Sequence, residues 1–253
     1  VWSIPSDGHF YGPVDPVVRV CGSFGSSHGW YSGYVDNVII SKVPLPEVVV
    51  HPDWVLALFF EGPDGSTGVI DSSLYAHTAT VTGSEAITTA QFAPNFGSTS
   101  SLVCSAGGYV QYAASSDFKF GTSDWAIEAD FLHDATPTAS YTDLISVGTT
   151  EVDNPDRIHF SFNNGQVAVY KAASWTDTGY TPPVGSWWHA RLEHRAGYDA
   201  YTRVFVNGQV VWSASNTQDY SEEPVVRICG NFGSSYGWYS GYVDNVIISK
   251  TRE

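Results

Sequence analysis

Asn-Gly occurs twice in this chain, at 164–165 and at 207–208, and each time it separates two apolar runs. The pair suits a two-residue turn in which both central residues take positive φ, a conformation that Asn and Gly adopt with little strain. Each pair therefore predicts a hairpin. Similar punctuation runs through the rest of the sequence: Gly and Pro recur every few residues between short runs of Val, Ile, Tyr, Trp and Thr. The i, i+3, i+4 spacing of an amphipathic helix is hard to find. In Trp187–Arg195, alternation puts Trp188, Ala190 and Leu192 on one face and His189, Arg191 and Glu193 on the other, as a half-buried strand requires. The pattern is all-β, and 253 residues of which 43% are hydrophobic can bury a full core.

Charge narrows the partners. With 11 Lys+Arg against 26 Asp+Glu the formal net charge is −15, which repels phosphate backbones and anionic lipid and leaves no basic stripe for nucleic acid. No apolar run approaches the roughly 18 residues of a membrane-spanning helix, and Val1–Phe10 lacks the basic flank and apolar stretch of a signal peptide. Neither nucleic acid nor membrane is an expected partner. Met is absent, which suggests a processed chain or a window on a longer polypeptide. No Asn-x-Ser/Thr glycosylation sequon occurs.

A long internal repeat sets the domain organisation. Asp15–Lys42, DPVVRVCGSFGSSHGWYSGYVDNVIISK, returns at Glu223–Lys250 as EPVVRICGNFGSSYGWYSGYVDNVIISK, with 24 of 28 positions identical. Upstream, Val1-Trp2-Ser3 matches Val211-Trp212-Ser213. Residues 1–43 thus read as the C-terminal strands of a module, 44–52 as a spacer stiffened by Pro44, Pro46 and Pro52, and 53–251 as the complete module. A few strands cannot bury a sandwich face alone. Two arrangements remain open: a tandem array, or strand exchange in which the tail completes a neighbour. Both make further copies of the module a partner, and both place Val38, Ile39 and Ile40 outside the core of 53–251.

The segment VLALFFEGPDGSTGVIDSSLYAHTATVTGSEAITTAQFAPNFGSTSSLVCSAGGYVQY, residues 55–112, resembles the opening of laminin G-like domains found in bacteriophage tail and fibre proteins. The order F-D/E-G, D-S-S-x-x-x-H, A-I-S-T-A-Q, G-x-Y is intact. Downstream, Asp117–Phe131, Trp187–Arg195, Val204–Gly208 and Gly241–Ile248 resemble later family landmarks. The resemblance implies a two-sheet antiparallel jelly-roll sandwich of the concanavalin A-like kind. It also implies a structural, decoration or adhesion role on a virion surface or in another extracellular setting. A secreted bacterial filament or adhesin with carbohydrate-binding modules is the alternative.

Enzyme chemistry is harder to place. Glycosidases of this broad architecture carry alternating carboxylates on one strand, and Glu128-Ala129-Asp130 offers two of them, but Leu132 and His133 stand where a further Glu is needed. No catalytic residues are assigned, and Glu128 and Asp130 read as solvated residues on an outer face. Many relatives hold a structural calcium ion, for which Glu61, Asp64, Asp71 and Asp244 are the candidate ligands, although Leu74-Tyr75-Ala76 replaces the usual glycine-rich turn. The aromatic loop Tyr236–Tyr242 and its copy His28–Tyr34 offer Tyr236, Trp238, Tyr239, Trp30 and Tyr31 for stacking on sugar rings. The same rings could instead pack inside the sandwich or at a module junction. Two cysteines per module, Cys104 and Cys229 in the complete one, imply a disulfide or two buried thiols, with Cys21 equivalent to Cys229.

Overall fold

The computed structural model describes residues 51–94, 97–137, 141–149, 156–171, 173–232 and 237–251. The partial module expected at 1–43, with Val38, Ile39, Ile40 and Cys21, and the spacer up to residue 50 lie outside the described residues. The strands, in chain order, are β1 (Trp54–Leu58), β2 (Ala79–Thr82), β3 (Ala86–Thr88), β4 (Ser101–Cys104), β5 (Tyr109–Tyr112), β6 (Trp125–Leu132), β7 (Thr142–Gly148), β8 (Ile158–Asn163), β9 (Gln166–Lys171), β10 (Ser174–Asp177), β11 (Trp188–Arg195), β12 (Tyr201–Val206), β13 (Gln209–Ser215), β14 (Val225–Ile228) and β15 (Gly241–Lys250). One 3-10 turn, Ser116–Phe118, is the sole helical element among the described residues.

The strands form two antiparallel sheets. The larger runs β13-β12-β11-β6-β15-β4-β3, with β1 also paired to β15; the smaller runs β10-β9-β8-β7-β14-β5-β2. Strand β15 is ten residues long, so β4 pairs with its first half, Gly241–Val243, and β1 with its second half, Val246–Ser249. The two Asn-Gly pairs close the β8–β9 and β12–β13 hairpins, with φ of 50° and 80° at Asn164-Gly165 and 48° and 78° at Asn207-Gly208. These are the left-handed conformations that the pair was expected to adopt.

Period-2 alternation builds the core between the sheets. From the smaller sheet come Ile158, Phe160, Phe162, Val226 and Ile228; facing them are Ile127, Phe131, Trp188 and Leu192 of the larger sheet. Phe131 and Phe162 meet Trp188 at centroid distances of 5.1 and 5.8 Å. Full burial of each such side chain contributes about 1.5–3 kcal/mol. Cys104 at the end of β4 and Cys229 just after β14 form a disulfide with Cα atoms 5.6 Å apart, tying the larger sheet to the smaller. The repeated sequence, in its C-terminal copy, supplies β14 and β15, an interior strand of each sheet, together with one half of this bridge.

Candidate functional site

The two sheets carry different chemistry on their outer faces. On the larger sheet, opposite charges face each other across strands: Asp130 is registered with His189 and Glu128 with Arg191. His189 Nδ1 lies 3.0 Å from Asp130 and its Nε2 3.6 Å from Glu128, while Arg191 reaches Glu128 and Glu193, both at 3.3 Å. Arg195 continues the chain to Asp124 at 2.9 Å. Asn245 donates to Asp130 at 2.8 Å and accepts from Ser98 at 3.1 Å. Hydrogen bonds to Asp130 and then Glu128 raise the His189 pKa to about 9 despite burial. Glu128 is held below its ordinary value because His189 and Arg191 together outweigh desolvation. Asp130 is 1% exposed, so the reading of it as a solvated outer residue is corrected: it is buried within this network.

On the smaller sheet, one row of side chains crosses all seven strands. In lateral register it runs Thr80, Gln111, Arg227, Ser146, His159, Tyr170, Trp175. Alternation explains most of it: in β8, Ile158, Phe160 and Phe162 point to the core, which turns His159 and Ser161 outward. A register shift between Asp143 and Ile145 explains the rest. In a regular strand, residues three apart face opposite ways; the bulge lets Asp143 and Ser146 face the same way.

Asp143 is fully buried beneath this row. Its Oδ2 accepts from His159 Nδ1 at 2.6 Å and from Ser146 Oγ at 2.9 Å, and its Oδ1 accepts a short hydrogen bond from Ser161 Oγ. Ser, His and Asp meet here, but not as a catalytic triad. The hydroxyl of Ser146 donates to the carboxylate and lies 3.0 Å from the same ring nitrogen, Nδ1, that contacts Asp143. A triad needs the nucleophile on the opposite nitrogen, where the base can take its proton. The cluster is a polar foundation for the rings above it.

Above the buried His159, the rings of Trp175, Tyr141, Phe232, Tyr109 and Trp238 form a half-buried aromatic layer. His159 lies 5.5 Å from Trp175 and 5.9 Å from Phe232, and Trp175 stacks on Tyr141 at 4.1 Å. Further along, Tyr109 and Trp238 lie nearly parallel, 6.2 Å apart with a 10° interplanar angle. Gly230 permits this approach, since a Cβ there would sit 2.7 Å from Tyr109 Cβ and 3.1 Å from Trp238 Cζ3. The Arg227 guanidinium lies 4.2 Å from the Tyr109 centroid and 4.9 Å from that of Phe232, distances suited to cation–π attraction. Its Nε donates to Gln111 at 2.7 Å, and Nη1 donates a short bond to the Asn231 carbonyl. Arg157, almost fully buried, adds a second guanidinium 5.3 Å from Phe232. Trp238 also lines a cleft of about 400 Å³ with Asp134, Thr136, Pro137, Ser240 and Tyr242.

The sequence candidates divide sharply. Trp238 lies on the aromatic layer. Tyr239 does not: it is fully buried, stacks on Phe162 and donates its hydroxyl to the Leu132 carbonyl at 2.8 Å, so it is a core residue and cannot meet a ligand. Tyr236, Trp30 and Tyr31 lie outside the described residues. The four carboxylates considered for calcium serve separate structural roles. Asp71 accepts from the N–H groups of Ala57, Ser73 and His77, and Glu61 from Thr99. Asp64 accepts from Thr89 N–H, and Asp244 from Ala93 and Asn245. Among the described residues, no group of three His, Cys, Asp or Glu side chains is placed to hold a metal ion, so this donor set does not fit calcium. Burial, followed by the nearby Asp130 charge, raises the Asp244 pKa to about 7.

The sequence reading missed Asp143, Ser146, His159, Arg227 and Trp175. The His-x-Ser alternation of β8 was the available signal; the bulge that aligns its partners on β7 had none.

No family model and no curated protein sequence matches the chain. Solved structures do. The chain is similar to domain 4 of a GH43 extracellular arabinanase from Geobacillus stearothermophilus in complex with arabinotriose, at 15% identity and TM-score 0.58, over 78% of this chain and 92% of that one. It is similar to the binding domain of Paraclostridial Mosquitocidal Protein 1, at 13% identity and TM-score 0.56, over 79% of this chain and 49% of that one. It is also similar to the binding domain of Botulinum Neurotoxin DC in complex with SialylT, at 10% identity and TM-score 0.53, over 78% and 47%. The chain spans about half the length of these two toxin domains. At such identities the likeness establishes the fold: a concanavalin-like jelly-roll β-sandwich.

Proposed function

We propose that the chain is a non-catalytic glycan-binding module, and that it serves as a structural or adhesion element of a virion fibre or decoration protein in an extracellular setting. The row that crosses the smaller sheet carries the reading. Half-buried aromatic rings offer faces for sugar rings, and the partly exposed Gln111 and Arg227 beside them offer hydrogen bonds to hydroxyls. Ligand complexes of the arabinanase domain and the neurotoxin binding domain are consistent with a sugar-binding use of this architecture. A non-catalytic role is supported by the absorption of Glu128 and Asp130 into ion pairs and by the geometry at His159, which leaves Ser146 without a base. The virion assignment rests on the order of sequence landmarks, and partnership with further copies of the module rests on the internal repeat.

A glycan array probed with the full chain, and with Trp238→Ala and Trp175→Ala, tests the reading. Binding to at least one glycan class should weaken roughly tenfold or more in each variant, as loss of a ring anchor predicts. Release of new reducing ends from a bound glycan would instead establish an enzyme, and binding indifferent to both substitutions would remove the site from this face.

A further inference from the structure

Arg227 sets the aromatic face apart from the ion-pair network of the larger sheet. Arg191 and Arg195, on the other sheet, each have a carboxylate within 3.3 Å. No acidic side chain among the described residues lies within ion-pair distance of Arg227, in a chain whose net charge is −15. Its Nε–H and one Nη1–H are used by Gln111 and the Asn231 carbonyl, which fix the plane of the guanidinium. The remaining N–H bonds, those of Nη2 among them, have no acceptor among the described residues. Tyr109 and Phe232 both lie against the group and lower its hydration, which strengthens its attraction to whatever charge partner it meets. A planar fork, fixed in orientation and without a carboxylate partner among the described residues, matches a carboxylate.

We infer that the face selects acidic saccharides: a sugar carboxylate, as on a sialic or uronic acid, pairs with Arg227 while the sugar ring lies on the adjoining Tyr109–Trp238 surface. The inference rests on the glycan-binding reading and names its ligand class. It also accounts for an arginine at this position of the row, where Gln or Thr would serve a neutral sugar.

Calorimetric titration of the full chain decides it, using 3′-sialyllactose against lactose and trigalacturonic acid against its methyl ester. At least one acidic member should bind about tenfold more tightly than its neutral counterpart, the scale of one charged hydrogen-bonded contact. That preference should shrink as salt rises. Arg227→Gln should abolish the preference and Arg227→Lys should keep part of it, with circular dichroism melts confirming that each variant folds. Equal affinity for acidic and neutral members in the unmodified chain overturns the inference without requiring any variant. If neutral sugars bind, lose affinity in Trp238→Ala and ignore Arg227→Gln, the glycan reading stands and the acidic one falls. If no sugar binds, both fall.

Discussion

The outer faces of the two sheets solve opposite problems. On the larger sheet each described charge in the network from Asp124 to Asp130 has an opposite charge beside it. On the smaller sheet the one carboxylate of the row's foundation, Asp143, is buried under hydroxyls and a histidine, while Arg227, opposite Ser146 in the row, has rings for neighbours. Charges already paired with one another ask nothing of a ligand. A guanidinium set against aromatic rings, with no anion beside it among the described residues, is an arrangement that a ligand can complete. The difference teaches where to look for recognition: at the charge that is left over, rather than at the highest density of charge.

Separating the sheets should have the largest effect on this contrast. Cys104 and Cys229 are 125 residues apart in sequence, and closing a loop of that length stabilises the native state by about 5 kcal/mol in the chain-entropy account. Cys104→Ser with Cys229→Ser should therefore lower the unfolding free energy by up to that amount in urea melts, and reductant should do the same to the unmodified chain. An unchanged urea midpoint would mean that the bridge adds nothing to the packing of the sheets.

Next in size is a pair of carboxylate deletions, one on each face. Asp143→Ala strands Ser146, Ser161 and His159 in a site closed to water, and breaking a buried charged network of this kind costs about 3–5 kcal/mol. Glu128→Ala removes a partner of Arg191 at a site that solvent reaches, and should cost about 1 kcal/mol or less. Urea denaturation of both variants checks the ordering; equal losses would erase the distinction between foundation and surface network.

How far the sequence reveals these faces follows from the geometry of strands. Trp188, Ala190 and Leu192 are buried as alternation requires, and both Asn-Gly pairs form their hairpins, because a period of two and a turn signal are local properties. The aromatic face is assembled from strands distant in sequence: Arg227 reaches Gln111, and Asp143 reaches His159 across a bulge. Alternation counted through Thr142–Gly148 places Asp143 and Ser146 on opposite faces, and only the register shift corrects it. Tyr239 failed for the complementary reason. It neighbours Trp238 in an aromatic run, and composition cannot tell which ring of a loop turns inward.

The charged face also predicts a pH response. His189 is raised from 6.5 to about 9 in the folded protein by Asp130 and then Glu128. The stability it contributes is therefore complete below pH 6.5 and is lost as pH rises through about 9. Asp244, raised from 3.8 to about 7 chiefly by burial and next by Asp130, contributes stability that is complete below 3.8 and is lost as pH rises through about 7. Both losses run in the alkaline direction. For the partly exposed His189, after discounting for solvent screening, the loss amounts to roughly 2 kcal/mol. Tm should fall between pH 6.5 and 9, and His189→Gln should flatten that limb while leaving the decline around pH 7 due to Asp244. A profile in which the variant and the parent fall in parallel would show that the ion-pair network does not govern alkaline stability.

The smallest contrast sets the two hairpins against each other, one on each sheet, with the same Asn-Gly backbone. Gly165 has φ +80° and Gly208 φ +78°, so the strain of placing an L side chain there is the same, about 1 kcal/mol. Their surroundings differ. A Cβ at Gly208 would meet nothing within 4 Å, whereas one at Gly165 would collide with Thr136 Cγ2. Gly208→Ala should thus cost only the backbone strain, and Gly165→Ala should cost about 1 kcal/mol more, since Thr136 must turn aside or the hairpin must shift. Thr136 also lines the cleft beside Trp238, so the strain at Gly165 is directed towards the glycan face, while that at Gly208 stays at an open turn. Gly165→Ala should therefore weaken sugar binding as well as lower Tm, and Gly208→Ala should lower Tm alone. Equal melting temperatures and equal sugar affinities for the two variants would show that the β8–β9 hairpin does not brace the cleft.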